Sequence, residues 1–197
     1  MQYKDDAANN SVMTYETDEI RLKDGRSIIL RSGVPDDAAQ LLSFLKEAYG
    51  STDYLASYPE EIEYTEESEA AYIRNTADKP GELCLAAFHD NILIGNVSLS
   101  CVRERIKLCH RAELAIAILP GFRGQGLGRR LMKAAIRKAK EHGYLQVELE
   151  VASSNIPARK LYESLGFRKQ GVHSRAFRLK DGTFLDLYDM VLALDEE

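Results

Sequence analysis

Apolar positions recur along this chain with two periods, and each period predicts a type of element. Ala38, Leu41, Leu42, Leu45 and Ala48 follow Pro35-Asp36-Asp37 at helical spacing and stop at Gly50, which predicts a helix. Leu127, Leu131, Ala135 and Ala139 lie about one turn apart and end at Gly143, which predicts a second helix over 127–142. A third is expected over 66–77. A short fourth runs from Pro157 to Leu165, with proline at its first position and Gly166 just past its end. Strand patterns occupy 83–89, 92–102, 111–119 and 145–151. Two further pairs flank the turn signals Asp24-Gly25 and Lys180-Asp181-Gly182, the second pair at 167–179 and 184–194. The predicted order, β–β–α–α–β–β–β–α–β–α–β–β, mixes hairpins with helical crossovers and implies an α/β or α+β domain: a mixed, mostly antiparallel sheet with helices on both faces.

Residues 1–19 show no sustained period and carry Asp5, Asp6, Glu16, Asp18 and Glu19 against Lys4, so they are expected to be an acidic disordered tail or an expression remnant. The domain is then expected to span 20–197. With 197 residues, 45% of them apolar and 29% charged, the chain suits one globular domain that needs no disulfide or structural metal. Its longest apolar runs fall far short of the roughly 20 residues of a membrane span, and no apolar leader follows a basic start, so a cytoplasmic protein without a membrane partner is expected. Cys84, Cys101 and Cys109 are odd in number and are expected to be reduced, buried thiols.

The net charge of −5 argues against a nucleic-acid partner, but its distribution is more informative. Residues 51–78 hold eight acids against Arg74 alone, whereas residues 120–140 hold seven basic residues and no acid. The basic block contains Leu119-Pro-Gly-Phe-Arg-Gly-Gln-Gly-Leu-Gly-Arg-Arg-Leu131, between a predicted strand and helix. Glycines at 124, 126 and 128 allow backbone N–H groups to converge, and the helix that starts there turns its positive dipole end toward them. Chemically this is an anion cradle. A Walker A loop is excluded because no Gly-Lys-Ser/Thr occurs in the chain. The G-x-G-x-x-G dinucleotide fingerprint fails as well, since Leu131 and Arg129 stand where its third glycine belongs.

Arg123-x-x-Gly126-x-Gly128 resembles the Q/R-x-x-G-x-G/A motif of the GNAT superfamily of acyl-CoA-dependent N-acetyltransferases. The resemblance extends from the strand at 112–119 through Asn155 to Leu161-Tyr-Glu-Ser-Leu-Gly-Phe167. It implies a single GNAT-like domain and transfer of the acetyl group of acetyl-CoA to a primary amine by direct attack in a ternary complex. Arg123, Gly124, Gln125, Gly126, Leu127, Gly128 and Arg129 would hold the CoA pyrophosphate, and backbone at Ile116, Ala117 and Ile118 the pantetheine arm and thioester. Asn155 would hydrogen-bond the cofactor. Arg129 and Arg130 could also reach phosphates.

In the same resemblance Tyr162 is the general acid that protonates the departing thiolate; otherwise it is a core aromatic beside Leu161 and Leu165. Glu113 is the only side chain on its strand able to accept a proton, and is expected to be the base, directly or through water; the alternative is an exposed carboxylate or an ion pair with Arg111 or Arg103. The acidic, tyrosine-bearing segment 51–78 suggests a cationic acceptor, such as a polyamine or a peptide amine. His89, His110 and the cysteines form no ligand-spaced set, so no metal is expected. Monomer and homodimer both remain open. A CoA-binding sensor without turnover is the alternative function.

Overall fold

The computed structural model describes residues 11–194. The acidic residues expected at the extreme ends, Asp5, Asp6 and 195–197, lie outside them. Strands β1 (Asp18–Arg21) and β2 (Ser27–Ser32) form the first hairpin, and α1 (Ala38–Gly50) and α2 (Glu66–Asp78) follow. Next come β3 (Leu83–His89), β4 (Ile92–Cys101), β5 (Arg111–Ile118), α3 (Leu127–His142), β6 (Gln146–Ala152), α4 (Ile156–Glu163), β7 (Arg168–Arg178) and β8 (Phe184–Ala193). The element order is the one that the apolar periods imply. All eight strands join one sheet in the order β1-β2-β3-β4-β5-β6-β8-β7. Every pair is antiparallel except β5–β6, whose crossover contains α3.

Cross-strand register assigns the two faces. Gly95, Val97 and Leu99 of β4 stand beside Ile118, Ile116 and Leu114 of β5, and a Cβ at Gly95 would touch Leu127 and Leu131 of α3. The intervening residue Ser98 pairs with Cys84, whose sulfur lies with Ile73 of α2 around Gly33. Helix α3 therefore covers one face, and α1 and α2 the other. Leu127, Leu131, Met132, Ala135 and Ala139 of α3 are completely buried, each leucine contributing about 1.5–3 kcal/mol. No helix among the described residues is long and apolar enough to cross a membrane.

Two expectations are corrected. The body begins before residue 20: Met13 is buried, Val12 bridges to Pro80, the Tyr15 N–H donates to Ser32 Oγ at 2.9 Å, and β1 starts at Asp18. One anchoring methionine in a polar stretch leaves no period to read. Cys109 is exposed in the β4–β5 loop rather than buried in a strand. At the end of α3, burial lowers the pKa of His142, and the helix is closed by the Gly143 N–H bonding Ala139 and Lys140 carbonyls.

Asp37 anchors the start of α1. Burial raises its pKa, but two hydrogen bonds from Arg31 (2.6 and 2.7 Å) and the Val34 N–H at 2.8 Å outweigh burial and hold it below the usual carboxylate range. A depressed carboxylate stabilises the fold above its unfolded pKa, about 3.9, and that stabilisation is lost as pH falls through the folded value. Asp37→Asn is expected to cost about 2 kcal/mol in urea denaturation at pH 7, a modest value because Arg31 keeps access to water. The difference from wild type should shrink below about pH 4.

Candidate active site

Strands β5 and β6 pair only at Arg111–Gln146, Ala112–Val147 and Glu113–Glu148. Beyond that point β5 continues along β4 alone, as far as Ile118 beside Gly95, and β6 continues along β8 alone, as far as Ala152 beside Leu187. A wedge therefore opens in the middle of the sheet toward the carboxyl ends of both parallel strands, where α/β proteins commonly bind ligands. Residues Ile116, Ala117 and Ile118 line its β5 side with backbone that has no β6 partner.

The turn that follows β5 completes the wedge. From Gly124 to Arg129, no backbone N–H donates to another described group, and the first bond of α3 is Arg130 N–H to the Gly126 carbonyl at 3.2 Å. Six successive donors are thus free, and Gly126, the N-cap, has no side chain to satisfy any of them. Gly124 and Gly126 adopt φ of +74° and +93°, which a side chain would strain. Gly128 is needed for a different reason: a Cβ there would lie 3.1 Å from Leu161 of α4 and 3.4 Å from Ile118 of β5. The three glycines thus divide between shaping the turn and letting three elements meet. Behind the turn, the Lys23 N–H donates to the Gln125 carbonyl at 3.3 Å, and Arg26 stacks 4.1 Å over Phe122.

Two of the side chains expected to reach phosphate, Arg123 and Arg129, have other partners, whereas exposed Arg130 has none among the described residues. Arg123 donates to the Ile118 carbonyl and to Ser51 Oγ, both at 2.7 Å, and so clamps the end of β5 to the end of α1. Arg129 donates to Ser164 Oγ at 2.7 Å, linking α3 to α4. Asn155 is the N-cap of α4, where its Oδ1 accepts from the Ala158 N–H at 3.3 Å, while its NH2 group has no partner among the described residues. Tyr162, on the next turns of α4, is 7% exposed, and burial pushes its pKa up to about 12. Its ring packs 6.0 Å from Phe167, and its hydroxyl has no hydrogen-bond partner among the described residues.

Glu113 sits at the closed root of the wedge. Arg111 pairs not with it but with Glu148, through Nε to Oε1 and a second bond of 2.7 Å to Oε2. That guanidinium holds Glu148 below the usual carboxylate range and leaves Glu113 exposed, with no ion pair among the described residues. The Arg111–Glu148 brace, which locks the last paired register, was not legible in the sequence, because its partners are 37 residues apart. Glu113, Glu148, Glu150 and Asp189 line an open concavity of about 440 Å³ on the sheet face. The acids of segment 51–78 have largely local duties: Glu61 accepts from the Tyr58 N–H, Glu60 pairs with Lys180, and Glu66, Glu67 and Glu69 occupy the first turn of α2.

The Acetyltransferase (GNAT) family model matches residues 42–167, which include the wedge, the turn and Tyr162. The chain belongs to the GNAT acetyltransferase family. It is accordingly an acetyl-CoA-dependent acyltransferase. Similar proteins include the L-amino acid N-acetyltransferase AaaT of Escherichia coli K12, 30% identical over 117 residues that cover 58% of this chain and 70% of that protein. The ribosomal protein bS18-alanine N-acetyltransferase of the same strain is 39% identical over 67 residues, 34% of this chain and 45% of that one. Among solved structures, a GNAT acetyltransferase of Streptococcus pneumoniae superposes with a TM-score of 0.81 at 28% identity, covering 84% of this chain and 99% of that one. The yncA protein of Salmonella typhimurium, solved with its cofactor acetyl-CoA, shares the fold with a TM-score of 0.76 at 23% identity over 86% of this chain and 95% of its own.

Proposed function

We propose that this GNAT enzyme transfers the acetyl group of acetyl-CoA to the amine of a small molecule, with an L-amino acid as the favoured class of acceptor. The observation that carries the reading is the run of six unpartnered N–H groups beside an unpaired parallel strand edge. The turn Gly124–Arg129 takes the pyrophosphate on its amides, and the free backbone of Ile116–Ile118 takes the pantetheine arm and polarises the thioester carbonyl. The NH2 group of Asn155 adds a donor at the mouth of the wedge.

The amine nitrogen attacks the carbonyl carbon, the C–S bond breaks, and the phenol of Tyr162 donates toward the leaving sulfur. The proton lost by the amine goes to Glu113. Three residues of strand separate Glu113 from Ile116, about 10 Å, so this transfer runs through water rather than by direct contact. A small acceptor is supported by the AaaT relative and by the strap across the 51–62 segment, where the Lys180 N–H donates to Tyr58 Oη at 3.0 Å and the Lys180 amine lies 4.1 Å over the Tyr58 ring. The cap made by Glu61, the pairing of Glu60 with Lys180 and the placement of Glu66, Glu67 and Glu69 in the first turn of α2 weaken the support for a cationic acceptor.

The test is thiol release from acetyl-CoA with a panel of L-amino acids, polyamines and a bS18 N-terminal peptide. Amino acids should give the highest kcat/KM, and preference for the peptide or a polyamine would overturn the acceptor class. Binding of acetyl-CoA without thiol release from any member would instead establish a sensor. Glu113→Gln is expected to lower kcat/KM about 10²-fold or more near pH 7 and to regain part of it above about pH 9, where the amine deprotonates by itself. A flat loss across the pH range would contradict the base assignment.

A further inference from the structure

Strands β6, β7 and β8 bring together Glu150, His173 and Asp189 on the open face of the sheet. Glu150 and Asp189 are direct register partners, so two like charges stand opposite one another about 5 Å apart at Cβ, an arrangement that destabilises a sheet. Asp189 also faces Gly171 at a bulge in β7, where a Cβ would come within 2.6 Å of Asp189 Oδ2. A side chain at Gly171 would displace that carboxylate. Two residues on, His173 Nδ1 lies 3.2 Å from Glu150 Oε1 and its Nε2 lies 3.4 Å from Asp189 Oδ2. No lysine or arginine pairs with either acid among the described residues, and Arg111, which lines the same concavity, is committed to Glu148.

The facing carboxylates need a compensating cation. An imidazole supplies one charge, and only when protonated. A divalent ion supplies two, and one imidazole nitrogen with two carboxylate oxygens is a donor set that suits zinc. The three residues offer ligand atoms that all lie within 4.8 Å of one another. We propose that Glu150, His173 and Asp189 form a binding site for a divalent cation of the zinc class. His173 is 58% exposed at its side chain, which leaves it free to turn one nitrogen toward both acids. Glu150 and Asp189 also line the concavity that Gln170 and Glu148 share. Because each ligand comes from a different strand, the ion ties the edge strand β7 to β8 and β6. The ligands are 23 and 16 residues apart in sequence, so no local spacing marks them.

Calorimetric titration of the metal-free full chain with zinc chloride tests the site, with thermal unfolding as a second readout. One ion per chain is expected, with a rise in Tm of about 5–10 °C at a hundredfold excess over Kd. His173→Ala, Glu150→Gln and Asp189→Asn should each weaken binding at least about tenfold, since loss of even an outer-shell partner costs that much. All three positions are at least partly exposed, so the metal-free variants should keep their circular dichroism spectrum, and Glu150→Gln and Asp189→Asn should show an equal or slightly higher metal-free Tm because the facing like charges are gone. Absence of stoichiometric binding below about 100 µM, or equal binding by wild type and all three variants, would overturn the proposal; the latter result would place the ion on other residues.

Discussion

Tyr162→Phe is expected to bind acetyl-CoA as wild type does and to lose about 10²–10⁴ in kcat, the range for one positioned proton donor. Packing separates this role from a purely structural one. Phenylalanine keeps the ring against Phe167, and the hydroxyl makes no hydrogen bond among the described residues, so stability should change by less than about 1 kcal/mol. A pKa near 12 keeps the phenol protonated throughout the working range. It also makes the phenol a reluctant acid toward a free thiolate, whose ordinary pKa is about 8.5. The same desolvation raises the basicity of sulfur in the closed site, which narrows the gap. Donation is thus expected as the C–S bond breaks, and the pH–rate profile should show no limb from Tyr162 below about pH 10. Unchanged kcat in the Phe variant would reduce Tyr162 to a core aromatic.

Gly126→Ala should weaken acetyl-CoA binding about 10- to 100-fold, because misdirecting one amide removes a hydrogen bond to charged phosphate worth about 1.5–3 kcal/mol. The left-handed backbone at φ +93° also costs about 1–2 kcal/mol of stability once a Cβ is present. Gly143→Ala provides the control. Gly143 has φ of +101° with nothing within 4 Å of its hypothetical Cβ, and it lies at the far end of α3. It should lose the same stability and leave acetyl-CoA affinity intact. Equal affinity losses in both variants would mean that the effect at Gly126 is merely unfolding.

What could be read from the sequence follows from the range of the interactions involved. The limits of α3 were legible because a 16-residue helix carries its own period and a glycine at each end. The cradle was legible because its donors are consecutive. The wedge is different: it depends on where the β5–β6 ladder stops, and strand register is set by packing between segments more than 30 residues apart. The family resemblance pointed to backbone at Ile116–Ile118 but not to where the ladder ends. Residues with local duties were the most easily misread. Asn155 is expected from the sequence to serve the cofactor, yet its Oδ1 is spent on capping α4. The acidic run at 60–69 resembles a field for cations but mostly serves helix ends and a lysine pair, and net charge does not distinguish these uses.

Direct transfer of acetyl from CoA to the amine across the β5–β6 wedge, with no acyl-enzyme between, is tested by initial velocities measured as acetyl-CoA and acceptor are varied together. Double-reciprocal lines that intersect are expected, as both substrates must occupy the wedge at once; parallel lines, the pattern of an enzyme that carries the acetyl group itself, would contradict direct transfer.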